Sequence, residues 1–265
     1  MNTKDYIEAN RKAWNQVAPI HAKATKEKLL KNFKNSNFSV LDSLETEKLL
    51  SLGLKNKSII QLGCNNGREL LSLKNLGAGR IVGVDISDEF IKQAEELSKS
   101  ANIEAEFIRS DVNELPDGLN NSFDIVYISI GVISWMPDVE KFFAVCSRLL
   151  KKDGIIVIYE LHPFTNMIDI PEKDTDGAPK ITLSYFNKAA NIDNTSLDYY
   201  ENTSYASLPQ YWFAHKMSDI IMSMIKNGIK ISFFEEYYHD ISNQFKPLEK
   251  FQKMPLSYIL IGSKD

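Results

Sequence analysis

From residue 58 to residue 160 the chain alternates two textures. Short runs of continuous apolar residues give way to longer stretches with apolar residues at helical spacing. Ser58-Ile-Ile-Gln-Leu62 predicts a first strand. The helix after it carries Leu70, Leu71, Leu73 and Leu76, with Gly77 at its C-terminal end. Residues 80–85 predict a second strand. Residues 88–100 predict a second helix with Phe90, Ile91, Ala94 and Leu97 on one side. Third, fourth and fifth strands are expected at 105–109, 123–129 and 155–160. A helix at 139–150 and the turn Lys152-Asp-Gly154 precede the last of these. Strands alternating with helices predict βαβ units and a mostly parallel sheet. The continuous Ile and Val runs predict strands buried on both faces.

The flanks read differently. Residues 1–56 are helical and polar. Trp14, Val17 and His21 share one helix face, and Pro19 is expected to break that helix. A second helix is expected at 40–52, on Leu41, Leu44, Leu49 and Leu50, with Asp42 or Ser43 as its cap. Residues 161–210 interrupt the alternation with Pro163, Pro171, Gly177, Pro179 and many aromatics, which predicts a lid. A helix at 216–227 and strands at 229–238 and 257–262 close the pattern. With no crossover helix between them, those two strands are expected to pair antiparallel at one edge of the sheet. The division is an N-terminal helical cap, 1–56, and a domain at 57–265 with a lid insertion at about 161–210.

Length and composition narrow the function classes. At 265 residues, 43% hydrophobic and 25% charged, the chain builds one large domain with an elaborated cover. Its formal charge is −4, from 31 basic and 35 acidic residues, and nucleic-acid binding would need a basic stripe. The densest basic run, 23–34, is interleaved with Leu29, Leu30 and Phe33 and reads as the solvated face of a helix. Cys64 and Cys146 have no metal-ligand or disulfide spacing. The polar start, and the lack of an apolar run of about 20 residues, predict a cytoplasmic protein that does not enter membranes.

The candidate chemistry collects at strand ends. Gly63, Asp85, Asp111, Ser129 and Glu160 lie at or just past the ends of five predicted strands, where open α/β sheets bind ligands. Gly63-Cys-Asn-Asn-Gly67 is a turn between strand and helix, and glycine lets backbone approach a ligand closely. Asp85 is placed to accept two ribose hydroxyls. The plainer reading makes it the cap of the next helix, a role Ser87 can fill instead. Asp111 can accept an adenine amino group beside the backbone N–H of Val112, or can simply form a turn before Pro116 and Gly118. A dinucleotide fingerprint fails at two of its three glycines, where Asn65 and Arg68 stand.

With these residues in hand, the chain resembles class I S-adenosylmethionine-dependent methyltransferases of the bacterial small-molecule type, similar to methyltransferase types 11, 12 and 25. Residues 59–68 look like their first motif and 82–87 like the second. Residues 107–111 and 123–126 look like the third and fourth, and 149–154 matches the turn before the fifth strand. Gln61 stands where the first motif usually has an acid, and Asn65 replaces a glycine. A subgroup of such enzymes also shares Trp14-Asn15, His21, Trp135-Met-Pro-Asp138, Tyr159-Glu-Leu-His-Pro163 and Tyr211-Trp-Phe-Ala-His215.

The resemblance implies a Rossmann-like α/β fold whose mostly parallel sheet carries an antiparallel C-terminal edge strand and helices on both faces. It implies S-adenosyl-L-methionine as cofactor, touching Gly63, Cys64, Asn65, Asp85, Ile86, Asp111, Val112, Ser129 and Ile130, with Trp14 and His21 closing over it. The expected activity is methyl transfer to a small molecule, at a nitrogen, oxygen or carbon atom. The alternative is a non-catalytic protein that binds the cofactor. Alignment of nucleophile, carbon and sulfur supplies much of such catalysis. A base is needed only where the nucleophile loses a proton. Glu160, His162 and His215 are the candidates, and the aromatic stretch 185–213 is the candidate substrate cover. No metal site and no nucleic-acid partner are expected, and the protein is expected to be a monomer or homodimer.

Overall fold

A computed structural model describes residues 1–169, 179–201 and 203–265. The helices are α1 (Thr3–Asn32), α2 (Ser43–Ser51), α3 (Arg68–Asn75), α4 (Asp88–Ala101), α5 (Val139–Leu149), α6 (Met217–Lys226) and α7 (Lys246–Glu249). The strands are β1 (Ile59–Leu62), β2 (Ile81–Asp85), β3 (Glu106–Arg109), β4 (Phe123–Ile128), β5 (Leu150–Leu161), β6 (Ile168–Asp169), β7 (Lys180–Ile181), β8 (Ala190–Asp193), β9 (Gln210–Phe213), β10 (Ile229–Tyr237) and β11 (Ser257–Lys264). Seven strands form one sheet in the order β10-β11-β5-β4-β1-β2-β3. Neighbours from β3 to β5 pair parallel, and β11 runs antiparallel to both β5 and β10. β1 and β4 diverge to β2 and β5 on either side. Their C-terminal ends therefore mark the switch point where such sheets bind ligands.

Two apolar layers hold the sheet. On one face Ile60, Leu62, Val82, Val84 and Val126 pack with Phe142, Phe143 and Cys146 of α5 and Ile220 and Met224 of α6. On the other, Ile59, Ile81, Tyr127, Val157 and Tyr159 meet Leu49 of α2, Leu70, Leu71 and Leu73 of α3, and Leu29 and Phe33 at the end of α1. Alternate strand residues thus enter opposite cores, as the pleat requires. Among the described residues no helix is long and apolar enough to cross a membrane.

Three sequence expectations need correction or refinement. Pro19 does not end a helix: α1 runs 30 residues straight through it. Proline there removes the N–H that would bond to Asn15, at a cost of about 3 kcal/mol. Burial of Ala13, Val17, Ala18 and His21 on the face away from exposed Pro19 offsets that loss. The C-terminal strand is antiparallel as expected, but it sits one position in from the edge, and β10 is the edge strand. Burial separates the two: Ser257 to Gly262 of β11 are all buried, whereas β10 alternates. The stretch expected to form a lid, 161–210, contains structure of its own, including the short pair β6 with β7 and β8, which pairs with β9 at the end of the stretch. Pro171 and Gly177 of that region lie outside the described residues.

The cap assignments resolve simply. Asp42 caps α2 by accepting from Glu45 N at 2.8 Å. Ser87 caps α4 by accepting from Phe90 N at 3.2 Å, which leaves Asp85 available for other work.

Candidate functional site

The glycine turn is built by backbone geometry. Gly63 and Gly67 have φ of +72° and +75°, and Asn65 is also left-handed at +49°. Asparagine tolerates that region because its short side chain bonds locally, and Asn65 Oδ1 accepts from Asn66 N at 2.7 Å. A Cβ on Gly63 would meet Val132 Cγ2 at 2.6 Å, so the turn and the loop after β4 lie in direct contact only because residue 63 is glycine. Gly67, at the cap position of α3, offers no side-chain acceptor, and the Arg68 N–H instead reaches Asn66 Oδ1 at 3.4 Å.

Asp85 ends β2 beside this turn. Its Oδ2 accepts from Asn65 N at 2.8 Å and its Oδ1 from Ser87 N at 2.9 Å. Burial pushes its pKa up to about 6, against the opposing pull of those backbone donors. Each carboxylate oxygen has a second lone-pair direction to offer. Asp111 ends the next connection. Its Oδ1 accepts from both Asn113 N (2.9 Å) and Asn113 Nδ2 (3.1 Å), so it does form the turn that the plainer reading required. Asn113 Oδ1 is buried with no partner among the described residues. Val112 is buried, Ile86 is half-buried and Ile130 is exposed. Cys64 is a buried thiol whose pKa is raised by burial, which makes it a wall rather than a nucleophile. Ser129 accepts from Gln61 Nε2 at 2.9 Å, while Gln61 Oε1 is fully buried and has no partner among the described residues.

The ends of β4 and β5 frame an open recess of about 360 Å³. Gly131, Ser134, Glu160, Asn166, His215 and Tyr258 contribute to its wall, with Ile133, Phe213 and Ile220 as the apolar part. Glu160 and His215 are thus brought together, and His162 is not part of this wall. Glu160 is an anchor for the loop after β4. Its Oε2 accepts from Gly131 N (2.8 Å) and Leu161 N (2.9 Å), and its Oε1 from Ile133 N (3.0 Å). Burial lifts its pKa to about 7 even so. Both ring nitrogens of His162 are engaged, Nδ1 by Phe164 N at 3.1 Å and Nε2 by Glu236 at 2.8 Å.

His215 differs. Its Nε2 lies 2.7 Å from the carbonyl of Met136, so the nitrogen facing that oxygen carries the hydrogen and Nδ1 keeps a lone pair. The ring stacks on Phe213 at 6.5 Å, and burial lowers its pKa below the ordinary histidine value.

Trp14 and His21 stand on the α1 face that covers these elements. Trp14 packs edge-on against Trp135 at 5.2 Å and near Phe90 at 6.0 Å. His21 packs against Tyr199 and Tyr200 at 4.4 and 4.9 Å. Sequence reasoning missed Asn10 and Gln16. Asn10 pairs with both backbone groups of Tyr211 (2.7 and 2.8 Å), and Gln16 bonds Ala206 O and Leu208 N (both 2.9 Å). These contacts span about 190 to 200 positions, and no local signal marks them. Tyr258 was also missed, because an apolar strand run gave no reason to separate its hydroxyl from its ring.

Comparison with known proteins decides what this architecture is. Residues 60–158 match the family model described as methyltransferase domain. Residues 60–158 thus match a methyltransferase domain, on a fold shared with S-adenosylmethionine-dependent methyltransferases. A Haemophilus influenzae protein is 21% identical over 92% of this chain and 97% of its own. A Methanocaldococcus jannaschii protein is 37% identical over a shorter stretch, 25% of this chain and 31% of the other, so the chain spans about a third of that relative. The crystal structure of an S-adenosylmethionine-dependent methyltransferase from Mesorhizobium loti shares the fold, with a TM-score of 0.59 and 18% identity over 82% of this chain and 96% of that one.

The residues of the methyltransferase domain fit S-adenosylmethionine. Asp85 offers paired acceptors suited to a ribose diol, and the orphaned Oδ1 of Asn113 is suited to an exocyclic amino group. Ile86 and Ile130 supply aliphatic surface for a purine.

Proposed function

We propose that the chain transfers a methyl group from S-adenosylmethionine to a nitrogen or oxygen of a small-molecule acceptor held in the recess at the ends of β4 and β5. The single observation that carries this reading is His215 on the wall of that recess, with its Nε2 held by the carbonyl of Met136 so that its Nδ1 keeps a lone pair. When bound, the cofactor supplies an electrophilic methyl group on a sulfonium.

The chain's own residues then divide the work. Gly63, Asn65 and Asp85 hold the nucleoside end, with Ile86, Asp111, Val112, Ser129 and Ile130 around it. Glu160 fixes the loop at 131–133 against β5, so that the recess keeps its shape. His215 Nδ1 takes the proton that an O–H or N–H nucleophile releases. The hydrogen on Nε2 stays on the carbonyl of Met136, which steadies the imidazolium that forms. Phe213, Ile133 and Ile220 exclude water from that step. His162 acts through the chain, not on the acceptor, by tying β5 to β10 through Glu236. The acidic charge of the chain favours a small acceptor over a nucleic acid.

The test is calorimetric titration with S-adenosylmethionine and S-adenosylhomocysteine, followed by measurement of S-adenosylhomocysteine release across a panel of small phenols, alcohols and amines. Cofactor binding with release on members of the panel is expected. Binding with no release on any of them would favour a protein that only senses the cofactor.

A further inference from the structure

The wall of the recess at the ends of β4 and β5 carries charge of one sign. Among the described residues Glu160 is its only charged side chain, and no lysine or arginine lines it. Lys216, beside His215 in the chain, is paired with Asp219 at 3.1 Å and stands outside that wall. Burial favours the neutral form of Glu160 and lifts its pKa to about 7. A cation in the recess favours the carboxylate instead. An anion there meets a carboxylate of like sign and no counter-charge.

Tyr258 adds an independent feature. It stands directly opposite Glu160 in the antiparallel pairing of β11 with β5, so the two side chains share one face of the sheet. Tyr258 is 1% exposed and lines the recess, and its hydroxyl makes no hydrogen bond among the described residues. A buried polar atom without a partner is costly. Burial and the neighbouring Glu160 push its pKa well above the ordinary tyrosine value, so the group is a neutral phenol. Its oxygen has lone pairs to offer an incoming donor.

A carboxylate and an unpartnered phenol oxygen, with no cation beside them, match a positively charged donor group. We infer that the recess selects an amine, bound as its ammonium by Glu160 and the Tyr258 oxygen, with its apolar body against Ile133, Phe213 and Ile220. The inference rests on the acceptor site proposed above and narrows the methylated atom to nitrogen. The ammonium first gives one proton to His215 Nδ1, which returns it to solvent after turnover. The nitrogen lone pair then forms the N–C bond, and the C–S pair stays on sulfur. Glu160 and Tyr258 thus set specificity, and His215 takes the proton.

The test compares benzylamine, benzyl alcohol and phenylacetate, which share a body and differ in head group. Calorimetry is run on protein saturated with S-adenosylhomocysteine, whose sulfur carries no charge, so that the recess presents only its own. The amine is expected to bind about 10-fold or more tightly than the alcohol, with the carboxylate weakest. Release of S-adenosylhomocysteine is then measured with the same probes and with the phenols, alcohols and amines of the panel above. Release is expected from amines alone. Tyr258→Phe keeps the ring and is expected to raise KM for the amine about 5- to 20-fold with little change in kcat. Glu160→Gln is expected to bring amine and alcohol affinities within about two-fold of each other. If Gln at residue 160 disturbs the loop it anchors, Tyr258→Phe still reads the subsite through KM. Amine binding no tighter than that of the alcohol, or an unchanged KM in Tyr258→Phe, would overturn the inference. Release from phenols or alcohols but not from amines would overturn it and leave methyl transfer standing. Release from no member of the panel would instead overturn methyl transfer to a small molecule.

Discussion

Asp85 accepts the backbone N–H of Asn65 at 2.8 Å, so the acid that ends β2 also holds the turn that ends β1. Its other oxygen holds Ser87 N at the entrance to α4. One carboxylate therefore sets the relative position of two motifs that local sequence rules treat separately. Any ligand that bonds to Asp85 reads the geometry of both.

Replacing Asp85 by alanine is expected to weaken S-adenosylhomocysteine binding by about 1–3 kcal/mol, since charge-assisted hydrogen bonds are lost. The pH dependence gives an independent check. Burial pushes the carboxyl of the folded chain from its ordinary value of 3.8 up to about 6. Binding that uses the ionised form should be level at pH 7 to 8 and fall as the pH drops through about 6. Calorimetry from pH 5 to 8 measures this, and the Asp85→Ala protein should lose that slope. An equal slope in both proteins would assign it to another group.

His215→Phe keeps the stacked ring and removes the lone pair. With an acceptor identified from the panel, kcat is expected to fall about 10²- to 10⁴-fold, with S-adenosylhomocysteine affinity unchanged. Only neutral His215 accepts a proton, and burial lowers its pKa. The acidic limb of the rate profile should therefore lie below the ordinary histidine range, and rates should be level above it. Unaltered kcat in the Phe variant would remove His215 from the chemistry.

Much of this arrangement was legible from residue pattern alone, for a physical reason. The strands β1 to β5 and the helices between them depend on local periodicity and on turn residues. Their observed ends mostly lie within one or two positions of expectation, although β5 begins five residues early, at Leu150. The positions of Asp85 at the end of β2 and Asp111 just past β3 were legible because a strand end is visible in the sequence. What escaped depends on partners distant along the chain. Glu160 reads as a candidate base from its strand-end position, and no spacing announces that its oxygens also accept from the N–H groups of Gly131, Ile133 and Leu161. Asn10 and Gln16 read as ordinary polar helix residues until Tyr211 and Leu208 are folded against them. Pro19 misled because a local rule for helix breaking was outweighed by tertiary burial.

Pro19 offers a direct measure of that balance. Pro19→Ala restores the missing N–H in the middle of α1, at an exposed position with no packing to lose. The substitution is expected to stabilise the protein by about 1–3 kcal/mol, less the entropy that proline removes from the unfolded chain. Urea denaturation monitored by circular dichroism gives the value. A destabilised variant would mean that α1 needs the proline, for instance to keep a bend that seats Trp14 and His21.

Glu45 makes the last case, in the core beneath the sheet. It is 7% exposed, its carboxyl accepts from the hydroxyl of Tyr127, and burial raises its pKa to about 8 from an ordinary value of 4.5. Below about 4.5 the group is protonated in both folded and unfolded chains and imposes no pH-dependent cost. Between about 4.5 and 8 the unfolded chain releases the proton while the folded chain keeps it. Stability must then decline across that window, by a few kcal/mol in total, and level off above it. Glu45→Gln keeps an acceptor for Tyr127 and has no proton to lose. Its urea midpoint should match that of the unaltered protein near pH 5 and exceed it at pH 8 to 9. Parallel stability profiles for the two proteins across that range would show that Glu45 ionises in the fold and finds compensation from its surroundings.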